Sequence, residues 1–247
     1  MWQAIYEDLK GEGVEILAVA LDTAGKDAVE AKIRAADISE RPEIFGKLMN
    51  WPEELWKRQA PPTYTCLIDE EHVLAELYGM VNVPEAVWID EEGRIVRPAE
   101  SAGQIDMVAH LNRETFEIPD EIAQTGFESR MAYIDALHDW AKNGADSQYA
   151  LSADEVQRRL RAPDDADVMA STHAKLGRHL FHAGELDAAK AQLQAASDLC
   201  PDKWSYRRQA MMLDPENIGE LNAGPEFWAE VDKLDGKPYY EPAQLTA

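Results

Sequence analysis

The chain has 247 residues, 45% of them hydrophobic, and a formal net charge of −23. That length suits two domains and that composition supplies a core. So acidic a balance excludes a nucleic-acid interface of clustered Lys and Arg and opposes docking on anionic membranes. It reads most simply as a solvated, highly soluble surface.

No apolar run approaches the ~20 residues needed to span a bilayer, and no signal peptide opens the chain. In chain order, Trp2, Ile5, Tyr6 and Leu9 fall at helical spacing ahead of Gly11 and Gly13. The near-continuous apolar run Val14 to Asp22 predicts a strand buried on both faces. Asp22-Thr23 can cap the next helix, where Ala28, Val29, Ile33 and Ala36 recur at helical intervals. Pro42 to Pro62, with Trp51 and Trp56, reads as an insertion between core elements.

Val83-Pro84 then precedes the apolar run Val87-Trp88-Ile89. Pro cannot donate to a ladder and is confined to strand starts, edges and bulges. Asp90 to Gly93 makes a turn, and Arg94 to Arg97 resumes an extended pattern.

From Ile118-Pro119 onward strand signals vanish. Phe127 to Lys142 predicts an amphipathic helix, with Met131, Ile134, Leu137 and Trp140/Ala141 on one side and Asn143-Gly144 as the stop. Ser152 to Glu155 is a capping box before Val156 and Leu160, and Pro163-Asp164-Asp165 breaks the chain again. Leu176-Gly177, Leu180, Gly184, Ala189, Leu193, Ala196 and Pro201 stand at tetratricopeptide spacings. Small Gly177 and Ala189 would let two antiparallel helices approach, and Gly184 would turn the chain. One such unit cannot bury its own faces, so Met131–Ala141, Val156–Leu160, Trp204–Leu213 and Phe227–Leu234 must help. A generic helix bundle is the alternative. Residues 237–247 are expected to pack as an irregular tail or fray.

Tyr78-Gly79-Met80-Val81-Asn82-Val83-Pro84, then Val87-Trp88-Ile89-Asp90 and Gly93-Arg94-Ile95, resemble the thioredoxin-like superfamily, in particular its TlpA/ResA and AhpC/TSA (redoxin) branches. The likeness runs from Met1 to about Ile118, in family order, and implies a short extra strand over Thr63 to Asp69 and a small helix over Glu70 to Leu77. It implies an α/β thioredoxin-like domain over 1–118, with a helical connector at 119–165 and a TPR-like helical domain at 166–236 following. It also implies a cis peptide at Pro84, an isomer disfavoured by only ~0.5–1 kcal/mol, and a substrate-facing role for Val83, Pro84 and Glu85. The family usually has Thr where this chain has Glu85.

One family element is missing. A strand and a Trp-Cys-x-x-Cys turn would precede the helix matching Trp2–Leu9. The strand would lie between those matching Ile16–Leu21 and Ala86–Asp90. The expectation is that Met1 is a mis-assigned start, since a selenocysteine codon upstream can be read as a stop. A strand from elsewhere in the chain or from a partner, and a re-paired sheet, are the alternatives.

The resemblance implies a thiol–disulfide oxidoreductase or peroxidase-like protein acting on a protein disulfide or peroxide, with a Cys or selenocysteine nucleophile outside this chain. A non-catalytic scaffold that binds a protein through its helices is the second expectation. The chain as it stands reads as cytoplasmic, or extracytoplasmic if an upstream segment exists.

Other residue types carry less. Cys66 and Cys200 are the only cysteines; with no Cys-x-x-Cys they make no redox pair, and each reads as an inert buried thiol. His179 and His182 share a helix face near His173, without a complete zinc spacing. His72, His110 and His138 are isolated. Asp22, Asp69 and Asp90 each end a predicted strand, as turn chemistry alone would have it. No cofactor and no metal are expected, and no catalytic residue lies in this chain.

Overall fold

The computed structural model describes residues 2–33, 52–58, 60–115, 117–214, 217 and 224–245. Ala36, Trp51 and the first part of the expected insertion lie outside them. Helix α1 (Trp2–Leu9) places Ile5 and Leu9 on one fully buried stripe. Gln3 pins it: its Nε2 donates to Thr63 Oγ1 at 2.8 Å, and the Thr63 amide donates back to Oε1 at 2.6 Å. Next come β1 (Leu17–Ala20), α2 (Lys26–Ile33), α3 (Glu53–Lys57) and β2 (Thr65–Ile68). β1 and β2 pair in parallel, Leu17 with Thr65 through to Ala20 with Ile68. A parallel pair needs a long crossover, and this one carries α2 and α3.

The expectation for Val14 to Asp22 is corrected here. The strand is shorter, limited by its four-residue partner, and it is not buried on both faces. Leu17 and Leu67 share a face by register and are 62% and 42% exposed, so no described layer covers that side.

Asp69 closes β2 and opens α4 (Val73–Leu77). Its two carboxylate oxygens accept from the Val73 and Leu74 amides at 2.9 and 2.7 Å, satisfying donors that the first helical turn leaves without partners. β3 (Glu85–Ile89) and β4 (Ile95–Ser101) form an antiparallel hairpin, with Trp88 opposite Arg97 and Ile89 opposite Ile95. Asp90 organises its turn by accepting from the Glu92 and Arg94 amides and from Arg94 Nε. Gly93, at φ 79°, supplies the left-handed position.

The helical half holds α5 (Asp120–Asn143), α6 (Ala153–Arg159), α7 (Asp165–His182), α8 (Leu186–Leu199), α9 (Trp204–Met212) and α10 (Pro225–Val231). α5 starts seven residues before the expected Phe127. It packs with the first half: Tyr133, Ile134, Ala136 and Leu137 share a core with Ile5, Leu9 and Trp88. Trp88 stacks on Trp140 at 5.0 Å and donates to the Tyr133 hydroxyl at 2.8 Å.

Only one arm of the expected Ser152 box is made, the Ser152 hydroxyl accepting from the Glu155 amide. The Glu155 carboxylate is held instead by Arg158 and Arg159. A full reciprocal box stands at Asp164 and Asp167, where the sequence reads as a chain break.

α7 and α8 meet around Ala170, Ala174, Ala189, Leu193 and Ala196. A Cβ on Gly177 would lie 3.0 Å from Leu193 Cγ and 3.1 Å from the Ala189 carbonyl oxygen, so the close approach needs glycine. A third core joins Trp204, Met211, Phe227, Val231 and Tyr239.

The described residues therefore form a mixed α/β half followed by a helical half, and no described helix is long and apolar enough to cross a membrane. The two sheets remain separate. β1 pairs only with β2 and β3 only with β4 among the described strands, so one edge of β1 and one edge of β3 carry no ladder.

Candidate functional site

The loop ahead of β3 is held by its own residues. Gly79, at φ 68°, turns the chain out of α4, and the Met80 amide donates to the Ala75 carbonyl at 2.8 Å. The Glu85 carboxylate then reaches back, accepting from the Val81 and Asn82 amides at 3.2 Å each. The Val83–Pro84 peptide is cis.

Burial pushes the Glu85 carboxyl up to about 7, and its two amide donors pull the other way. Desolvation wins because amide dipoles replace only part of the hydration a charged carboxylate loses. The acid at this position is thus a strut that closes the loop on itself.

Asn82 couples the loop to the far end of the chain. It is 4% exposed; its Nδ2 donates to the Tyr239 carbonyl at 2.8 Å, and its Oδ1 accepts from the Val83 amide at 2.9 Å. The Val83 carbonyl accepts from the Tyr240 hydroxyl at 2.6 Å. From the helical half, the Ser205 amide at the start of α9 donates to the Val81 carbonyl at 3.1 Å.

Beside the loop lies a cleft of about 80 Å³. The residues leaving β1, Leu21 to Ala24, form one wall; Val83 and His72 form another; Ser205, Arg208 and Gln209 of α9 close it. At its base Thr23 Oγ1 lies 3.2 Å from His72 Nε2 and 3.4 Å from Gln209 Oε1, which also accepts from Arg178 Nη1 at 3.3 Å. Thr23, His72 and Gln209 are each less than 10% exposed.

Burial, aided by the Arg178 charge, lowers His72 to about 4, so the imidazole is neutral at pH 7. It occupies a left-handed backbone position at φ 53°, and its Nδ1 has no hydrogen-bond partner. Burial raises Asp22 above the usual carboxylate range, against the Ala24 amide it accepts.

The structure places Val83 on the cleft with polar residues from both halves, while Glu85 bonds only the amides of its own loop and Pro84 is exposed. Neither cysteine joins them. Cys66 is half-buried on β2, not fully buried as its neighbours predict; Cys200 is buried behind α8 with its thiol 3.6 Å from Asp167. Desolvation raises both thiols, and the Asp167 charge raises Cys200 further. A nucleophilic cysteine needs the opposite shift.

The aspartates at the strand ends serve turns, each accepting nearby amides. Among the histidines, His173 Nδ1 lies 2.7 Å from Gln192 Oε1, and His182 lies 3.9 Å from Glu71. No group of three metal-ligating side chains occurs among the described residues.

Sequence reasoning missed Thr23, His72, Gln209 and Tyr240. Each is a single polar residue whose partners across the site lie 31 to 186 positions away, so no local spacing announces it. The adjacent pair Tyr239-Tyr240 in a polar tail was the one local signal. No known protein family, curated protein sequence or solved structure matches this chain.

Proposed function

We propose that this chain belongs to a thioredoxin-like thiol–disulfide oxidoreductase of the redoxin kind, and that its loop at Val83, Pro84 and Glu85 faces the substrate. The nucleophile would be a Cys or selenocysteine outside these residues, on the turn that follows a strand seated between β1 and β3. What supports the reading is the divided sheet. β1 and β3, the two strands that an inserted strand would join, each have an edge without a ladder, as β2 and β4 also do, and the loop and cleft stand where β1 ends and β3 begins.

In the reaction, a thiolate attacks one sulfur of a substrate disulfide. A mixed disulfide forms and the second substrate sulfur leaves as a thiolate. A resolving thiol then releases the reduced substrate and becomes oxidised with the first, and a dithiol reductant restores the pair. The loop's part is to hold the substrate backbone while sulfur is exchanged.

The test is insulin-disulfide reduction by this chain and by an N-terminally extended one. Turnover by the extended protein alone supports the proposal. Inactivity of both, with a cysteine pair or selenocysteine present in the extension, overturns it.

One observation favours a second reading, a non-catalytic thioredoxin-fold scaffold that binds a protein through its TPR-like helices. The cleft holds no thiol among the described residues, and the loop's backbone groups are already engaged by the chain itself.

A further inference from the structure

Val83 is 47% exposed, so water could serve its backbone. Yet both its polar groups are taken internally. The amide donates to Asn82 Oδ1, and the carbonyl accepts from the Tyr240 hydroxyl at 2.6 Å. An extended polypeptide lying along this loop would need that carbonyl, since backbone pairing uses the same N–H and C=O groups.

The segment carrying Tyr240 is fastened on either side. Tyr239 is 7% exposed in the third core, with its amide on Asp106 Oδ2 at 2.8 Å and its carbonyl on Asn82. Gln244 is held through its carbonyl by Arg97 and Arg159, and its amide donates to Glu100. Through residue 245 the tail is thus anchored on both sides of Tyr240, whose ring packs edge-on against Tyr239.

We propose that Tyr240 is the gate of this loop: its hydroxyl holds the Val83 carbonyl that an extended substrate backbone would engage, so a polypeptide ligand must displace it to bind. The inference rests on the reading of the loop as substrate-facing, and adds which residue controls admission.

Tyr240→Phe removes the hydroxyl and keeps the ring against Tyr239. The probe is fluorescently labelled, reduced and carboxymethylated insulin B chain, which is extended and has no thiol chemistry; binding is followed by anisotropy. Losing one neutral hydrogen bond to be broken predicts about fivefold tighter binding by the variant than by the parent. Hydrogen exchange should show protection of the amides between Val81 and Val87 in the bound variant. Equal affinities with protection in this loop would overturn the gate and leave the substrate-facing reading standing. Protection confined to other segments would overturn both. No binding by either protein would overturn the gate, while the reductase assay on the extended chain would still judge the oxidoreductase reading.

Discussion

Arg178, with no exposed side-chain surface, donates from Nη2 to the Glu76 carboxylate at 3.2 Å. The contact joins α7 to α4, and Ser171 and Lys175 reinforce it from the same face of α7. Taking an arginine fully out of water is costly unless its charge is met. Glu76→Ala is therefore expected to lower unfolding free energy by about 3 kcal/mol, because it leaves the buried Arg178 only the half-exposed Glu71 carboxylate at 3.8 Å and the neutral Gln209. Arg178→Met in the Glu76→Ala background should restore much of that loss, since the buried charge is then gone. Urea unfolding of the two single variants and the double variant checks this. A double variant as weak as the sum of the singles would show that the two residues do not act as a pair.

Glu85 and His72 should give the fold opposite pH dependences over nearly the same range. Glu85 rises to about 7 in the folded chain, so the native state holds its proton more tightly than the unfolded chain. Its stability contribution is present below about 4.5 and is lost as pH rises through 7. His72 falls to about 4, so the native state holds its proton less tightly. Its contribution is present above about 6.5 and is lost as pH falls toward 4. In the parent the two slopes offset each other. Glu85→Gln should expose the histidine slope, with stability falling as pH drops from 6.5 to 4. His72→Asn, chosen because asparagine tolerates the left-handed position, should expose the reverse. Each slope should approach but not exceed roughly 1.4 kcal/mol per pH unit. Unfolding free energies at four pH values between 4.5 and 7.5 decide it, and identical profiles for the two variants would refute the assignment.

Local patterns carried the parts of this fold that local chemistry builds. The Asp90–Gly93 turn, the end of α5 at Gly144 and the α7–α8 pair follow from residue types a few positions apart, so they were legible. The burial of β1 was not. An apolar run records that a strand can be covered, and here Leu17 faces no described layer. The Asp164–Asp167 box was hidden because the same residues also suit a break after Pro163, and only the backbone geometry chooses. Within the candidate site, Val83, Pro84 and Glu85 came from resemblance to a family pattern. Tyr240, which bonds Val83, and Ser205, which bonds Val81, came from the tail and from α9, elements whose docking no short-range spacing encodes.

The cysteines should be slow, and unequal. Both thiols are raised by burial, so little thiolate exists at pH 7.5. Cys66 is half-buried and Cys200 is buried with the Asp167 carboxylate beside it. With a chromogenic aromatic disulfide under native conditions, Cys66 is expected to react at least tenfold more slowly than free cysteine. Cys200 should react only after denaturant is added. Rapid modification of Cys200 in the folded protein would contradict its burial and reopen the chain's own thiols as candidates for chemistry.

Gly177 tests whether the α7–α8 contact is as close as the side chains imply. Replacing a mid-helix glycine with alanine favours a helix by about 1 kcal/mol. Against that, the new methyl group would lie 3.1 Å from the Ala189 carbonyl oxygen and 3.0 Å from Leu193 Cγ. The leucine can rotate, but the carbonyl belongs to the backbone of α8 and moves only with the helix. Overpacking of a tight core costs about 1–3 kcal/mol, so the clash outweighs the propensity and Gly177→Ala should be destabilising by about 1 kcal/mol. Leu193→Ala removes one of the two obstacles but opens a cavity, which places the double variant well below either parent in stability. The clean comparison is Gly177→Ala against an exposed alanine-for-glycine change such as Gly11→Ala, whose methyl group meets nothing within 4 Å. Thermal melts should shift in opposite directions or leave Gly11→Ala unchanged, and a stabilised Gly177→Ala would mean the two helices stand further apart than the contact requires.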